Sequence, residues 1–304
     1  MDMYQKRKIR AEKKKEDSSK SFPSVGINWY PGHMAKTKRQ ISEKLNLIDI
    51  VYEVVDARMP NSSKIKDIDT LIKNKQKIMI MTKYDLCDKD ETDKYITYYE
   101  NMGYIVIPVN LINNNTTIIL KKTNDLMQEY FEKVEKKGLK KRAIRVLVVG
   151  VPNAGKSTLI NKLVGQNKAG VGSKPGFTKQ LSWIRVGNNI ELLDSPGVLW
   201  PKFDDQEEAK TLAALSSIKE EVVNTFEISS FIIRRMYELY PKNLEERYGI
   251  SSLSEDLIEE YDLIAKKRGA LKRGGLVDYE KVSKLIIQDL QSGRLGKITL
   301  DRLN

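Results

Sequence analysis

The residues from Gly150 to Ser157 could bind a chain of phosphates. Their sequence, Gly-Val-Pro-Asn-Ala-Gly-Lys-Ser, matches the pattern G-x-x-x-x-G-K-[ST] and lies between an apolar strand pattern and a helical pattern. Glycines let the backbone curl until its N–H groups converge on a phosphate, at a helix N-terminus that already favours anions. A turn that binds nothing is therefore the weaker interpretation. The residues expected to contact the nucleotide here are Asn153, Ala154, Gly155, Lys156, Ser157 and Thr158.

Two further patterns place catalytic and metal-binding groups around this loop. We expect Lys156 to bridge the β- and γ-phosphates and Ser157 to ligate Mg²⁺. Asp194-Ser-Pro-Gly197 matches D-x-x-G at the end of a strand, so Asp194 is expected to hold a water on the metal and the Gly197 N–H to sense the γ-phosphate. Between the two motifs lies a Gly/Pro-rich segment, typical of a loop that the γ-phosphate orders, and its Thr178 could complete the metal shell.

The tetrapeptide Thr82-Lys83-Tyr84-Asp85 could read a guanine base, because it matches [NT]-K-x-D. Asp85 can accept from N1–H and the 2-amino group of guanine, while the stem of Lys83 covers the base. Adenine has neither donor, and such unpaired polar groups can discriminate by about 10⁴-fold. Taken alone, the motif is equally a turn at a strand end. Thr82 stands where Asn is commoner, which we expect to weaken bracing between loops, and the last base-contacting loop is predicted, on weaker grounds, at Val109-Asn110.

The order of the motifs is unusual, because the guanine pattern precedes the phosphate loop. In an ordinary GTPase the phosphate loop comes first, so either one match is accidental or the domain is circularly permuted. Alternating strands and helices predict an α/β fold with a doubly wound, mostly parallel sheet and its ligand at the strand carboxyl ends. Together with the reversed motifs, this makes a circularly permuted P-loop GTPase domain the predicted fold. The predicted strands are 50–55, 77–81, 104–108, 143–149, 181–186 and 190–193.

A small all-α C-terminal domain is predicted from about Gln206, where apolar residues begin to recur at helical spacing. One predicted buried face consists of Phe226, Ser230, Ile233 and Tyr237. The GTPase domain is thus expected over 25–205 and the helical domain over 206–304. Residues 1–24 form a basic tail, either a solvated extension or a nucleic-acid arm.

The composition points to an anionic partner and away from membranes. The 304 residues carry a net charge of +12, and Lys and Arg release counterions from phosphates on binding. No apolar run is long enough to cross a bilayer or to form a signal peptide, so we expect a cytoplasmic protein, and we expect it to be monomeric. With one cysteine and one histidine, no zinc site of the usual kind can be assembled. Cys87 is expected to be half-buried rather than nucleophilic.

The chain resembles the YlqF family of circularly permuted GTPases, or ribosome biogenesis GTPase A, over nearly everything after about Gly26. The motifs that carry the resemblance are Trp29-Tyr-Pro-Gly-His-Met34, Val55-Asp-Ala-Arg58, Thr82–Asp85, Gly150–Thr158, Pro175-Gly-Phe-Thr178 and Asp194-Ser-Pro-Gly-Val-Leu-Trp-Pro201. The resemblance implies a GTPase that binds the large ribosomal subunit precursor late in assembly and contacts rRNA through its helical domain. The basic residues there, which could equally form a solvated face, are Lys266, Lys267, Arg268, Lys272, Arg273, Arg294 and Lys297.

Hydrolysis needs a group that orients the attacking water, and this chain lacks that group at the usual position. Many GTPases orient the attacking water with a Gln after D-x-x-G, but that position is Val198, which has no hydrogen-bonding group. The resemblance implies that His33, the only histidine, is catalytic, although it could instead hold the N-terminal segment structurally. It also implies that Asn153 coordinates K⁺, which would supply positive charge in place of an arginine finger. Arg58 could do similar work or form a surface pair.

Three other functions fit parts of the pattern. An RNA-binding scaffold with GTP as a structural ligand is left open by Val198. A permuted GTPase for the small subunit is disfavoured, because those relatives carry an N-terminal OB-fold or zinc-binding cysteines. An ATP-using P-loop kinase requires residues 82–85 to match by accident, and competition between GTP and ATP would decide this.

Overall fold

A computed structural model describes most of the chain. The described residues are 32–66, 68–72, 75–113, 116–136, 138, 142–165, 181–187, 189–197, 205–215, 217–218 and 224–303, without the side chains of 32–35, 69 and 71. They divide into two compact units. The sheet unit comprises the described parts of Trp29–Lys202 and Asp301–Asn304, and the helical unit comprises the described part of Phe203–Leu300.

Six strands form the sheet of the first unit. They are β1 Ile50–Asp56, β2 Gln76–Thr82, β3 Ile105–Pro108, β4 Ile144–Val149, β5 Ser182–Val186 and β6 Ile190–Asp194. Their order across the sheet is β3-β2-β1-β4-β6-β5. All neighbours run parallel except β5 and β6, which are antiparallel. The predicted doubly wound, mostly parallel sheet is confirmed, and each strand end lies within one residue of its predicted position.

The order of the strands creates a switch point at the middle of the sheet. The chain runs outward from β1 through β2 to β3, then returns to the other side of β1 as β4. From there it passes to β5 at the far edge and comes back as β6 beside β4. The last residue of β1, Asp56, is the register partner of Thr82 at the end of β2, and Glu53 of β1 is the partner of Val149 at the end of β4. Ligands of such sheets bind outside the carboxyl ends at the switch point.

Helices and apolar clusters cover this sheet. The helices are α1 Gly32–Lys44, α2 Ile68–Ile72, α3 Lys89–Asn101, α4 Thr117–Lys136 and α5 Lys156–Val164. One cluster joins Ile41 of α1, together with Leu45 and Ile48 just after that helix, to strand residues that include Leu147 and Val149, all almost fully buried. A second cluster packs tyrosines of α3 against methionines of β2. These clusters fix the strands whose carboxyl ends carry the motifs.

Five helices are described in the helical unit: α6 Gln206–Ala214, α7 Thr225–Leu239, α8 Pro241–Tyr248, α9 Ile258–Arg268 and α10 Tyr279–Gln291. The buried face of α7 was predicted partly wrongly. Ile233 is buried as expected, but Phe226, Ser230 and Tyr237 are only half-buried. The buried stripe is centred instead on Ile228, Ile232, Ile233 and Met236. The helix buries its aliphatic residues most deeply, and the Phe226 ring packs 5.4 Å from the ring of Tyr261.

A buried polar network also stabilises the helical unit. Asp289 of α10 is fully buried, and its carboxylate accepts hydrogen bonds from the Arg247 guanidinium at 2.8 Å and the Tyr248 hydroxyl at 3.0 Å. Paired in this way, a buried carboxylate fixes the packing of α8 on α10. Within the described part of the chain, no helix is both long and apolar enough to cross a membrane.

Candidate nucleotide-binding site

The sequence motifs meet at the carboxyl ends of the parallel strands. β2 ends at Thr82, β4 leads directly into Gly150, and β6 ends at Asp194. Because β1 lies between β2 and β4, its last residue, Asp56, is placed between the guanine pattern and the phosphate loop. The fold therefore brings together two motifs that are distant in the sequence and reversed in order.

Two glycines shape the phosphate loop. A Cβ added to Gly150 would lie 2.4 Å from the carbonyl oxygen of Val54, so the loop leaves β4 in tight contact with β1. Gly155 is the N-cap of α5 with φ +99°, a backbone conformation that glycine adopts at little cost. A Cβ there would lie 3.3 Å from the side chain of Thr82. Larger residues would push the loop away from its neighbours, and the N–H groups at the start of α5 would no longer converge.

Lys156 places a buried cation inside the loop. Lys156 is only 6% exposed, and its ammonium donates to the carbonyl oxygens of Gly150 at 3.0 Å and Val151 at 2.8 Å. Burial lowers the pKa of Lys156 to about 8, and the negative charge of Asp194 opposes this shift. A phosphate chain is a stronger partner for this ammonium than two carbonyl groups are, because it carries full negative charge.

The two motifs touch through Thr82. Its hydroxyl Oγ1 lies 2.5 Å from the carbonyl oxygen of Ala154 and 3.1 Å from that of Val55. A hydroxyl has one proton, so the shorter contact, to the phosphate loop, is the principal hydrogen bond. Weaker bracing was expected from threonine in place of asparagine, but the structure shows that this threonine joins the two loops directly.

The ammonium of Lys83 makes a second connection between the motifs. It donates to Asp56 Oδ2 at 2.7 Å and to the carbonyl oxygen of Asn153 at 2.9 Å. Burial lowers the pKa of Lys83, while the charge of Asp56 acts in the opposite direction. Both Lys83 and Asn153 have positive φ, at 57° and 58°, so each loop turns sharply where the two meet.

Asp56 lies at the centre of these contacts, although sequence reasoning gave it no role. It is fully buried, and its carboxylate also accepts from Arg58 Nε at 3.0 Å and Nη2 at 2.9 Å. Burial by itself would raise the pKa of Asp56, but the charges and hydrogen bonds of Arg58 and Lys83 lower it well below the ordinary range. The signal was present in the sequence as Val-Asp-Ala-Arg at a strand end, but nothing in it indicated which partner the aspartate would choose.

The surface pair considered for Arg58 is wrong. This residue is 2% exposed and its guanidinium forms a two-pronged pair with Asp56. A buried carboxylate attracts the planar guanidinium, and the backbone N–H of Arg58 also donates to Asp56 Oδ1 at 3.0 Å, which turns the side chain inward. Arg58 therefore acts on Asp56 rather than as a solvent-exposed charge.

Asp85 is the last residue of the guanine pattern, and the Val109-Asn110 segment lies beside that pattern. Asp85 is half-buried within a turn closed by the bond from Leu86 N to the Lys83 carbonyl at 2.9 Å. Val109 N donates to the Met81 carbonyl at 2.7 Å, and the Val109 carbonyl accepts from Tyr84 N at 3.3 Å. The Asn110 side chain accepts from Ile112 N at 2.8 Å. The predicted base-contacting segments are thus adjacent, although their roles remain predictions.

The D-x-x-G segment approaches the phosphate loop closely. Asp194 is 3% exposed, and the next residue, Ser195, donates its hydroxyl proton to the Val148 carbonyl at 2.6 Å. A Cβ added to Gly197 would lie 2.7 Å from Cα of Pro152 in the phosphate loop. Only glycine fits at this contact without moving one of the two loops, so the predicted γ-phosphate sensor has its backbone directly against the loop that holds the phosphates.

Several predicted residues fall partly or wholly outside this geometry. Thr178 and Val198 lie outside the described residues, and His33 lies in the first turn of α1 but its side chain is not described.

Cys87 was expected to be half-buried, but it is fully buried and its thiol donates to the Tyr84 carbonyl at 3.3 Å. Burial raises the pKa of Cys87 to about 11, so this thiol is a poor nucleophile.

Comparison with known proteins identifies relatives along nearly the whole chain. A family model described as "50S ribosome-binding GTPase" matches residues 145–260. A Bacillus cereus protein named ribosome biogenesis GTPase A is 44% identical over 276 residues, covering 90% of this chain and 93% of that protein. A Thermotoga maritima protein of the same name is 32% identical over 276 residues, covering 91% and 94% of the two chains.

Solved structures agree with the sequence relatives. The crystal structure of GNP-bound YlqF from T. maritima is similar with a TM-score of 0.63 at 30% identity, covering 88% of this chain and 98% of that one. A GDP-bound structure of YlqF gives a TM-score of 0.62 at 28% identity, covering 87% and 99%. The fold is thus the predicted circularly permuted GTPase domain with a helical C-terminal region. The chain belongs to the ribosome biogenesis GTPase A family, whose members are GTP hydrolases.

Proposed function

We propose that this ribosome biogenesis GTPase acts on the precursor of the large (50S) ribosomal subunit at a late step of assembly, hydrolysing GTP to GDP and phosphate there. The names of its relatives and the description of the matching family model support this target. Assembly of bacterial ribosomes is cytoplasmic, so the cytoplasm is the proposed location, and a monomer is the proposed state in solution.

One observation carries the nucleotide part of the proposal. Thr82 and Lys83 of the guanine pattern contact the carbonyl oxygens of Ala154 and Asn153 in the phosphate loop, at 2.5 and 2.9 Å. A base-reading segment and a phosphate-binding segment are therefore held at a fixed distance from each other. This arrangement suits a ligand that has a base at one end and phosphates at the other, and Asp85 selects guanine among the bases.

The residues of the chain divide the work of hydrolysis. Lys156 is proposed to move its ammonium from the loop carbonyls to the β- and γ-phosphates, where it stabilises the charge that develops as the bond to the γ-phosphate breaks. The Gly197 N–H is proposed to donate to a γ-phosphate oxygen. His33 is the proposed catalytic residue, which would orient or polarise the attacking water in place of the Gln that is missing after D-x-x-G.

The chemistry of the site fits Mg²⁺. Ser157 offers a hydroxyl and Asp194 a carboxylate, both hard oxygen donors, and Thr178 is the third proposed contributor. No group of three or more His, Cys, Asp or Glu side chains in the described ranges could hold a metal alone. Mg²⁺ needs no such cage, because it is usually held by one or two protein oxygens together with phosphates and water. Bound there, Mg²⁺ supplies neutralisation of the phosphate charge. K⁺ at Asn153 is the corresponding proposal for a monovalent cation.

The helical unit is proposed to contact rRNA. Its basic candidates are all exposed: Lys266, Lys267, Arg268, Lys272, Arg273, Arg294 and Lys297. Arg294 differs from the others because it pairs with the buried Asp289 at 3.1 Å, which favours a structural role. The cluster at the end of α9 is the stronger candidate, since three successive cations there would face a partner's phosphates with little desolvation cost.

A sedimentation experiment tests the target. The protein is pelleted with large or small ribosomal subunits in the presence of a non-hydrolysable GTP analogue, across a range of salt concentrations. We expect binding to large-subunit precursors only, and a weaker salt dependence for the charge reversal Lys266→Glu/Lys267→Glu. The matched control is Lys121→Glu/Lys122→Glu, which reverses two exposed charges on α4 of the sheet unit. Equal binding to both subunits, or equal effects of the two double variants, would refute the proposal.

A further inference from the structure

The carboxylate of Asp301 binds the loop that follows β1. Asp301 is 8% exposed, and its Oδ2 accepts from the backbone N–H groups of Asn61 and Ser62, both at 2.8 Å. Its Oδ1 accepts from the Ser62 hydroxyl at 2.6 Å. One buried carboxylate thus accepts three hydrogen bonds from two successive residues. These bonds are strong because the acceptor is charged. Asp301 belongs to the sheet unit, so these bonds lie inside that unit.

The same loop is tied at its other end to Asp56. Asp56 N donates to the Ser63 hydroxyl at 2.9 Å, and that hydroxyl donates to the Met59 carbonyl at 2.6 Å. Met59 N donates to the Asp56 carbonyl at 3.0 Å, which closes a turn immediately after β1. The segment from residue 57 to 63 is therefore short and held at both ends, by Asp56 at its start and by Asp301 near its finish.

Asp56 in turn holds Lys83. The distance from the Lys83 ammonium to Asp56 Oδ2 is 2.7 Å, and the same ammonium reaches the Asn153 carbonyl of the phosphate loop at 2.9 Å. A continuous series of hydrogen bonds and backbone turns thus runs from Asp301 through Ser62 and Asp56 to Lys83.

We propose that Asp301 is a positioning residue for the nucleotide site: by fixing the 57–63 loop it sets the place of Asp56, and through Asp56 it sets the Lys83 ammonium between the guanine pattern and the phosphate loop. The three hydrogen bonds of Asp301 described above go to the 57–63 loop. Loss of its carboxylate therefore acts on nucleotide affinity through Lys83. A purely structural role would lower the stability of the sheet unit without an effect that depends on Lys83.

A double-mutant cycle separates these two roles. The dissociation constant of a fluorescent GDP analogue is measured for the full chain, for Asp301→Ala, for Lys83→Met and for the double variant. Lys83→Met keeps the apolar stem but removes the ammonium. We expect Asp301→Ala to raise the dissociation constant about five- to twentyfold in the wild-type background and less than about twofold in the Lys83→Met background. The same factor in both backgrounds, or no change in either, would overturn the proposal.

Two further variants distinguish a positioning effect from a general loss of stability. Ser62→Ala removes only the 2.6 Å bond to Asp301, so it should raise the dissociation constant by a smaller factor that also disappears with Lys83→Met. Tyr52→Phe is the stability control, since it removes a buried hydrogen bond to Thr123 away from the 57–63 loop. Tyr52→Phe should lower the melting temperature and leave GDP affinity unchanged; a loss of affinity equal to that of Asp301→Ala would contradict positioning. All measurements omit ribosomal particles, so failure here is distinct from failure of the proposed large-subunit target.

Discussion

The ammonium of Lys83 lies 2.7 Å from the carboxylate of Asp56, a pair that joins two parallel strand ends. Because the same ammonium also bonds to the Asn153 carbonyl at 2.9 Å, it links three loops at the switch point of the sheet. The two motifs therefore meet at one edge of the sheet, although their order along the chain is reversed. β1 fills the space between β2 and β4, and Asp56 at its end holds the Lys83 ammonium, which also reaches the phosphate loop.

Removal of the Asp56 carboxylate should destabilise the protein strongly. Asp56→Ala would leave the buried Arg58 guanidinium without this carboxylate, a change that costs about 3–5 kcal/mol in comparable buried pairs. Arg58→Met should cost less, because Asp56 keeps Lys83 as a partner. Folding lowers the pKa of Asp56, so its stabilisation is present above the ordinary aspartate pKa and is lost as the pH falls below it. Denaturant unfolding at pH 7 checks the order of the two variants; equal losses would contradict the account.

If Asp85 selects guanine, its substitution should weaken GDP binding and a different base should restore binding. Asp85→Asn should weaken GDP binding by at least about 10²-fold, because an amide cannot accept from both donors of guanine. Xanthine carries a carbonyl where guanine has its 2-amino group, so the amide should instead pair with xanthosine diphosphate. Competition of GDP, XDP and ADP against a fluorescent nucleotide measures this exchange of preference. If Asp85→Asn bound GDP and XDP as the wild type does, Asp85 would not read the base.

Much of the fold was predictable because its signals are local. Most of the six strands are short apolar runs with a clear end, such as 144–149 before the glycine loop, and sequence alone placed all six. The face of α7 was less predictable, since Phe226 and Ile228 both suit a core and only packing in the helical unit decides which is buried. The short helix Pro241–Tyr248 was not predicted, although Pro at its first position is a known start signal.

The site, like the fold, has parts that local sequence predicts and parts that only the tertiary structure determines. Residues of the phosphate loop follow from a strict pattern, whereas the pairing of Asp56 with both Arg58 and Lys83 depends on the register of β1 against β2. The contact of Asp301 with Ser62 joins positions that are 239 residues apart, and no sequence period reports such a distance. Long-range polar contacts of this kind require the tertiary structure, because short polar residues such as aspartate and serine are common at loops for local reasons alone.

The close approach of Gly197 to Pro152 predicts a selective loss. A Cβ at Gly197 would lie 2.7 Å from Pro152 Cα, so Gly197→Ala must move the D-x-x-G backbone away from the phosphate loop. The N–H of residue 197 would then lose its hydrogen bond to the γ-phosphate. The contacts that other residues make with the β-phosphate would remain. We expect affinity for a GTP analogue to fall about tenfold or more and GDP affinity to change little.

The control for this substitution is Gly187→Asn. An added Cβ there meets nothing within 4 Å, and its φ of +56° is one that asparagine tolerates. Titration calorimetry on both variants gives the two affinities. Equal losses of GDP and GTP-analogue binding in Gly197→Ala would show that this contact serves the loop as a whole rather than the γ-phosphate.

Nucleotide binding should be coupled to proton uptake at alkaline pH. Burial holds the pKa of Lys156 at about 8 in the protein without nucleotide, and negative phosphates would raise it on binding. Below pH 8 the ammonium is already charged in both states, whereas above pH 8 binding must add a proton, so GDP affinity should fall as the pH rises. Calorimetry at pH 8.5 in buffers of different ionisation enthalpy measures the uptake. Lys156→Arg, which stays charged, should abolish the uptake; its persistence would assign the proton to another group.

Single-turnover GTP hydrolysis is the most direct test of the central claim, that this chain is a GTPase whose turnover serves the large ribosomal subunit. Rates are measured for wild type and His33→Ala in K⁺ and Mg²⁺, each with large-subunit precursors, with small subunits and without particles. We predict slow hydrolysis alone, a rise of about 10²-fold or more with large-subunit precursors only, and loss of that rise in His33→Ala. Equal rates in every condition would contradict the claim and would favour a scaffold in which GTP is only a structural ligand.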